Sequence, residues 1–302
     1  MNVLATFDGL GGGRIALDRA DIPVTNYFAS EIDKFAIQAS RANWNDITQV
    51  GDICKLSYKN GVLSNGTQSF NTKIDILIGG FPCQSLSRAG DGTGLNGKSG
   101  LFWEFIRLLK ETKPKYFFVE NVKMKKEWSD IITTELGVEP ILINSSLVSA
   151  QNRERLYWTN IPNITQPQDK GILLKDILEP WTESIDNPKR PATLKNSYTI
   201  TNSSGLQHVA DASDIKGHQS IKRIYSANGK APTLTTMGGG HREPKVLIGQ
   251  NDWYRKLTPL ECERLQTLPD NYTQGLSKTQ RYKTIGNGWT IDVITHIFKG
   301  II

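Results

Sequence analysis

The first 160 residues switch repeatedly between a strand-like and a helix-like hydrophobic pattern, and that alternation limits the folds open to the chain. Residues 3–7 form a short apolar run that reads as a buried strand, followed by glycines and a helical stretch over 14–20. Residues 26–29 and 34–43 repeat the strand–helix pair. Residues 74–78 (Ile-Asp-Ile-Leu-Ile) read as a strand ending in Gly79-Gly80, 101–110 have helical spacing, and 116–119 are again strand-like. Strands alternating with helices predict an α/β architecture, with a mostly parallel sheet covered by helices on both faces. Ligands of such sheets sit at the carboxyl ends of the strands.

The pattern stops near Pro180. Residues 181–250 are rich in Asn, Ser, Thr, Gly and Pro, with short β-like pieces and no long helix, and predict a small irregular second domain. Helical periodicity returns at 259–265, with Pro near the start, and at 289–298. Charge separates the same regions. The chain carries a net +6, and residues 187–250 hold nine Lys/Arg against three Asp/Glu, which is the whole excess. Three of the four histidines (His208, His218, His241) lie there too. Such a segment is either a solvated loop region or a basic surface that meets a polyanion.

Composition excludes other classes. With 38% hydrophobic and 22% charged residues the chain can support a core. No apolar run approaches the ~18 residues of a membrane span, and the N-terminal apolar run lacks a basic segment before it, so neither a membrane protein nor a signal peptide is expected. Three distant cysteines (Cys54, Cys83, Cys262) offer no metal-ligand spacing and no even pairing, which points to a reducing, cytoplasmic setting and no metal.

Several strand ends carry groups that could do chemistry. Residues 7–13 (Phe-Asp-Gly-Leu-Gly-Gly-Gly) join a strand to a helix, and their glycines allow a sharp turn and a close ligand. Asp8 would repel phosphate, so a cationic or neutral ligand fits better than a pyrophosphate. Glu31 follows the second strand, where an acid commonly meets ribose hydroxyls; Asp52 follows a third and could accept from an adenine amino group. Each could equally cap a helix. Residues 79–85 (Gly-Gly-Phe-Pro-Cys-Gln-Ser) hold Cys83 behind a proline at a rigid strand end, which suits a nucleophile better than a core thiol. Glu120 ends another apolar strand at the same sheet edge, where a carboxylic acid near a thiolate suits general-acid work. In 151–155 (Gln-Asn-Arg-Glu-Arg), an extended chain puts Gln151, Arg153 and Arg155 on one face.

In their order, Phe-x-Gly-x-Gly-Gly, Pro-Cys-Gln, Glu-Asn-Val, Gln-x-Arg-x-Arg and a late Gly286-Asn287 make the chain resemble the cytosine-C5 DNA methyltransferases, from about residue 3 to 298. Glu-Asn-Val together with 99–105 (Ser-Gly-Leu-Phe-Trp-Glu-Phe) is most similar to compact bacterial and phage members, which share some likeness with the animal de novo enzymes. The resemblance implies a Rossmann-like S-adenosylmethionine-dependent methyltransferase fold with a small, mostly irregular/β target-recognition domain. It divides the chain into a catalytic cofactor-binding domain (1–174), the target-recognition domain (175–250) and a C-terminal part returning to the catalytic domain (251–302).

The same resemblance assigns roles. Phe7, Gly9, Leu10, Gly11 and Gly12 match the loop for the methionine part of S-adenosylmethionine; Glu31 with Ile32 matches the ribose site, and Asp52 with Ile53 the adenine contacts. Pro82, Leu101 and the last motif, Asn287-Gly288-Trp289, complete the cofactor set, although Gly288-Trp289 stands where a small residue and Val are usual. Cys83 matches the nucleophile, Glu120 the acid at cytosine N3, and Arg153 and Arg155 the arginines around the flipped base. Double-stranded DNA is the implied partner, contacted by Gln84 and Ser87 near the nucleophile. In the recognition domain the implied contacts are Thr233, Leu234, Thr235, Thr236, Gly239, His241 and Arg242, with Lys222 and Arg223 on phosphates. S-adenosylhomocysteine is the implied product, a monomer on DNA is expected, and a cognate restriction endonuclease is among the partners such enzymes have. A bacterial or phage-infected cytoplasm is the implied location.

Rival readings are distinguishable. An RNA cytosine methyltransferase of the same family, acting on transfer RNA, looks otherwise in the recognition region. An amino-methylating DNA enzyme needs a Pro-Pro motif, and this chain has none. A catalytically inactive DNA-binding relative would not keep Cys83, Glu120 and Arg155. A cysteine hydrolase would want a histidine in the first half, and all four are late.

Overall fold

A computed structural model of the protein describes residues 1–83, 95, 98–180, 190–194, 205–248 and 253–302, with the backbone alone at 98–99 and 190–194. The apolar runs of the sequence translate directly into strands. Five segments, β1 (Asn2–Thr6), β2 (Asn26–Ser30), β3 (Ile47–Gln49), β7 (Ile76–Gly79) and β8 (Tyr116–Val122), lie parallel in one sheet. Its order is β3-β2-β1-β7-β8-β10-β9, closed off by β9 (Ile141–Asn144) and β10 (Glu154–Thr159). β10 runs antiparallel to β8. All four residues of β7 are buried, as a parallel strand covered on both faces requires.

The helices between these strands are α1 (Gly12–Arg19), α2 (Lys34–Asn43), α3 (Phe102–Thr112) and α4 (Lys126–Leu136). Asp33 caps α2 by accepting from the Phe35 N–H at 2.9 Å. α3 turns Phe102, Phe105, Ile106 and Leu108 inward, into a cluster with Leu4, Leu77, Val119 and Trp158. A feature absent from the sequence expectation is a three-stranded antiparallel meander of β4 (Ser57–Lys59), β5 (Val62–Ser64) and β6 (Ser69–Asn71), inserted between β3 and β7. It is tied to α3, where Glu111 Oε2 accepts from the Tyr58 N–H at 2.8 Å.

The chain divides into two compact units, Met1–Ile143 with Glu154–Gln166 and Ile294–Ile302, and Asn144–Arg153 with Pro167–Val293. In the second, β11 (Arg190–Leu194), β12 (His208–Ala212), β13 (Arg223–Tyr225), β14 (Lys245–Ile248) and β15 (Trp253–Lys256) form a closed barrel. The short β-like pieces therefore add up to a regular architecture, because closure lets strands of three to five residues pair on both edges. Its core is small: Val209, Ala210, Ala212, Ile215, Ile224 and Tyr254. The sequence boundary at residue 250 falls between β14 and β15, which pair with each other. A short α5 (Gln219–Lys222) precedes β13, and α6 (Pro259–Leu265) and α7 (Lys278–Asn287) follow the barrel. α6 starts with a capping box between Thr258 and Glu261 and has Pro259 in its first turn. The last helix, α8 (Ile291–Phe298), ends in the first unit, where Phe298 meets Phe118 edge-on at 5.4 Å.

Candidate active site

The parallel register places the chemistry of the first unit at one edge. Thr6 is level with Ser30 on one side and Gly79 on the other, and Gly79 is level with Val119. The residues that follow, Phe7, Glu31, Gly80 and Glu120, therefore lie at the same end of the sheet, with Glu120 still inside β8 and level with Tyr157 of β10. β1 lies between β2 and β7 where the chain reverses its direction of winding, the point at which such sheets take ligands.

The glycine loop after β1 is strained in the way a ligand-facing turn is. Phe7 has φ 54°, Gly9 φ 59° and Gly11 φ 80°. No heavy atom comes within 4 Å of where a Cβ on Gly9 would lie, so that face is open, whereas a Cβ on Gly13 would overlap Ile78 and the Tyr27 hydroxyl. Leu10 and Gly12 are buried beneath the turn. Glu31 is held by three backbone N–H groups: Oε2 accepts from Gly9 at 2.8 Å, and Oε1 from Ile32 at 2.7 Å and Asp33 at 2.8 Å. Ile32 beside it is 75% exposed. The Ser30 hydroxyl donates to Gly51 O at 2.7 Å, which ties β2 to the loop carrying Asp52, and Asp52 caps the turn at 53–55 through the Cys54 N–H at 3.0 Å.

Asp8 is buried under this loop. Its Oδ1 accepts from the Tyr27 hydroxyl at 2.6 Å, and its Oδ2 has no hydrogen-bond partner among the described residues. Desolvation pushes its carboxyl up to about 7, with the Glu31 charge adding to the rise and the Tyr27 hydroxyl opposing it.

Cys83 is half-buried at the end of 80–83, beyond the fully packed Phe81. Asn121, 1% exposed, holds this turn: its Nδ2 donates to Phe81 O at 3.0 Å. Glu120 precedes Asn121 on β8 and forms an ion pair with Arg155 of β10, Oε1 to Nε at 2.8 Å, each side chain 12% exposed. Pro82 shares the Cys83 turn and Leu101 packs against the main core. Gln84 and Ser87 lie outside the described residues.

Arg153 and Arg155 part company. β10 begins at Glu154, so strand alternation does not extend back to Gln151 and Arg153. Arg153 is instead buried in the second unit, donating to Leu234 O at 3.0 Å and Gly288 O at 3.1 Å. Leu234 is buried and the Thr233 hydroxyl donates to Asn152 O at 2.7 Å, so both residues brace the segment before the loop. Thr235, Thr236, Gly239 and Arg242 are exposed and His241 is half-buried. Nothing lies within 4 Å of a Cβ built on Gly238, Gly239 or Gly240. Arg223 is exposed and Lys222 half-buried, while Asn287 is exposed and Gly288 and Trp289 are half-buried.

Sequence reasoning missed four residues. Asn121 is the clearest, and the signal for it was a polar residue facing inward in an otherwise apolar strand. Arg107 donates to Ile53 O at 3.2 Å while paired with Glu104 and Glu111, which steadies the turn after Asp52. Lys230, 1% exposed, donates to Ser146 O, Ser149 O and Ile172 O, and Lys245, 2% exposed, donates to His241 O and Glu243 O. Two of the nine cations counted over 187–250 thus pin loops from inside rather than adding to a basic surface.

Residues 1–302 match the model of the C-5 cytosine-specific DNA methylase family. The chain belongs to that family. This methylase is 32% identical to type II methyltransferase M1.ScrFI of Lactococcus lactis subsp. cremoris, over 98% of this chain and 76% of that protein. It is 30% identical to type II methyltransferase M.HhaI of Haemophilus parahaemolyticus, over 98% and 92%. The orphan methyltransferase M.SPBetaI of Bacillus phage SPbeta is 26% identical over 100% and 97%. Among solved structures, a prophage-encoded putative DNA modification methyltransferase from E. coli matches the fold with a TM-score of 0.69 at 23% identity, covering 100% of this chain and 98% of that one. The S. pombe Dnmt2 methyltransferase matches at 0.66 and 16%, covering 100% and 99%. The methylase is accordingly a DNA (cytosine-5-)-methyltransferase with the Rossmann-like fold of its class. Among the described residues no helix is long and apolar enough to cross a membrane, and no cluster of His, Cys, Asp or Glu could hold a metal ion.

Proposed function

We propose that the protein transfers a methyl group from S-adenosylmethionine to C5 of a cytosine flipped out of duplex DNA, through a transient bond between Cys83 and C6. The observation that carries this reading is the pairing of two constructions at one sheet edge: a cysteine turn fastened by Asn121, and the adjacent acid Glu120 fastened by Arg155.

The residues fit the cofactor. The open face at Gly9 admits a ligand against the backbone, Glu31 is oriented by three N–H groups for ribose hydroxyls, and the exposed Ile32 offers an apolar face to a purine. When bound, the cofactor supplies an electrophilic methyl group on a sulfonium.

The Cys83 thiolate adds its electron pair to C6, and the C5=C6 pair becomes available at C5 as Glu120 delivers a proton to N3. C5 takes the methyl group. Loss of the C5 proton to solvent then restores C5=C6 and expels Cys83 as a thiolate, and N3 returns its proton to Glu120, which leaves neutral 5-methylcytosine and the enzyme in its starting state. Arg155 holds the Glu120 carboxyl in place for the proton transfer. The base leaves the stack because neither side chain can reach it inside a duplex. The exposed glycine-rich segment 238–240 suits close approach to DNA.

DNA carrying 5-fluorocytosine tests the reading, since fluorine at C5 cannot leave as a proton and the adduct should be trapped on Cys83. Parallel assays of labelled methyl transfer to duplex DNA and to transfer RNA separate the two substrates. Transfer to RNA alone would replace DNA in this proposal.

A further inference from the structure

Residues 238–240 are three glycines in a row, and glycine leaves the backbone more freedom than any other residue. A side chain beside such a run recognises a base only where something stiffens the chain beforehand. On the near side Met237 is 1% exposed and anchors the run. On the far side the anchor is a lysine. Lys245 of β14, 2% exposed, donates from Nζ to His241 O at 2.6 Å and to Glu243 O at 3.0 Å. It is level with Lys256 of β15, whose ammonium pairs with the Glu243 carboxylate, Nζ to Oε2 at 3.0 Å. The Leu257 N–H donates to Pro244 O at 2.9 Å. Both strands therefore grip the same short stretch. His241 is held at φ 62°, a left-handed conformation that a residue with a side chain keeps only where its surroundings impose it. Arg242, exposed, stands between the two carbonyls that Lys245 holds.

We infer that Lys245 is a positioning residue for sequence recognition: with the Lys256–Glu243 pair it fixes the backbone at 241–243 and so aims Arg242 at one base pair of the target. The inference rests on the reading above, in which the 235–242 loop meets DNA. A guanidinium reads a base edge through two parallel bonds, and that geometry is lost when the backbone beneath it swings. A phosphate contact survives the swing, because it needs charge and carries no sequence information. The burial of Lys245 agrees with such a role. A cation that serves phosphates lies on the surface. A buried one costs desolvation, and an apolar side chain replaces it at little loss where packing alone is at stake.

The test profiles methylation of a randomised duplex DNA library by the wild type, Arg242→Ala, Lys245→Met and the double variant. Arg242→Ala should lower the preference for the favoured base at one position of the site by about fivefold or more. Lys245→Met should lower it at that same position and at no other. The double variant should lie within about twofold of Arg242→Ala, because the two residues act as one. A merely structural lysine would slow methylation of every site alike and keep the profile, and that result overturns the inference. A loss at a different position overturns it too, as does a double variant whose losses multiply. A profile that Arg242→Ala leaves intact removes the reading of the loop, and the inference with it. If Lys245→Met fails to fold, Glu243→Ala loosens the same backbone by deleting a half-buried side chain. It should relax the position that Arg242→Ala relaxes, and an unchanged profile there overturns the inference.

Discussion

Asn121 Nδ2 donates to the carbonyl oxygen of Phe81, forty residues earlier in the chain, and the bond is buried. It joins the strand that presents Glu120 to the turn that presents Cys83. The position of the thiol relative to the sheet edge is thus tied to this amide. The same amide's Oδ1 accepts from the Val122 N–H at 2.8 Å, which fixes its orientation.

Asn121→Ala should leave Phe81 O without its partner and let the Cys83 turn relax. Turnover should fall by about 10²-fold, the scale of an ångström-sized misplacement of a reacting group. Stability should drop by about 1–3 kcal/mol. Single-turnover methylation beside urea unfolding checks both, and full activity with reduced stability would confine Asn121 to the fold.

Cys83→Ser should abolish methyl transfer while S-adenosylhomocysteine binding is kept, because the thiolate acts on the base rather than in the cofactor site. Calorimetric binding and a methyl-transfer assay on the same preparation decide it. Turnover near the wild-type rate would remove Cys83 from the chemistry.

Glu120→Gln should slow the single-turnover rate by about 10²–10⁴-fold without abolishing it. The amide can still hydrogen-bond N3 but delivers no proton. A rate unchanged at saturating DNA and cofactor would show that N3 needs no acid from this side chain.

Asp8 makes the folded state sensitive to pH. Its folded pKa of about 7 lies above its ordinary value of 3.8, chiefly through burial, so the folded protein holds a proton that the unfolded chain releases. The stability it contributes is full below pH 4 and is lost as pH rises to 7, amounting to ~4 kcal/mol at most at 1.36 kcal/mol per unit. Asp8→Asn should flatten the stability profile between pH 5 and 8 (measured by urea unfolding), with its advantage over the wild type largest at pH 8. Parallel profiles for the two proteins would count against a neutral Asp8.

Lys222→Ala with Arg223→Ala should weaken binding to every DNA and flatten its salt dependence without altering the preferred site, since phosphate contacts carry no sequence information. Thr235→Ala or Arg242→Ala should instead change discrimination, by roughly 1–3 kcal/mol per base contact. Both loop residues are exposed, so folding should be little affected. Methylation profiling on a randomised library reads the outcome; an unaltered preference in both loop variants would place the reading residues elsewhere.

The central sheet was legible because its strands are buried on both faces and so appear as unbroken apolar runs, as in 74–78 and 116–119. The barrel was not. β13 has three residues, its core includes Ala210 and Ala212, and β11 pairs with β15 across some sixty residues, Arg190 with Tyr254. Strands that short leave too little periodicity to recognise.

The order of motifs along the chain determined the family and the fold class, and it marked Cys83 and Glu120 as candidates, because each follows an apolar run that local hydrophobicity already marks as a strand. Tertiary structure alone decided what the two arginines do. Arg153 and Arg155 are the same residue type two positions apart, and local sequence gives no reason to separate them. Arg155 meets Glu120 on the neighbouring strand, whereas Arg153 meets carbonyls 81 and 135 residues away. Which acceptor a guanidinium finds depends on chain segments that only folding brings within hydrogen-bond reach.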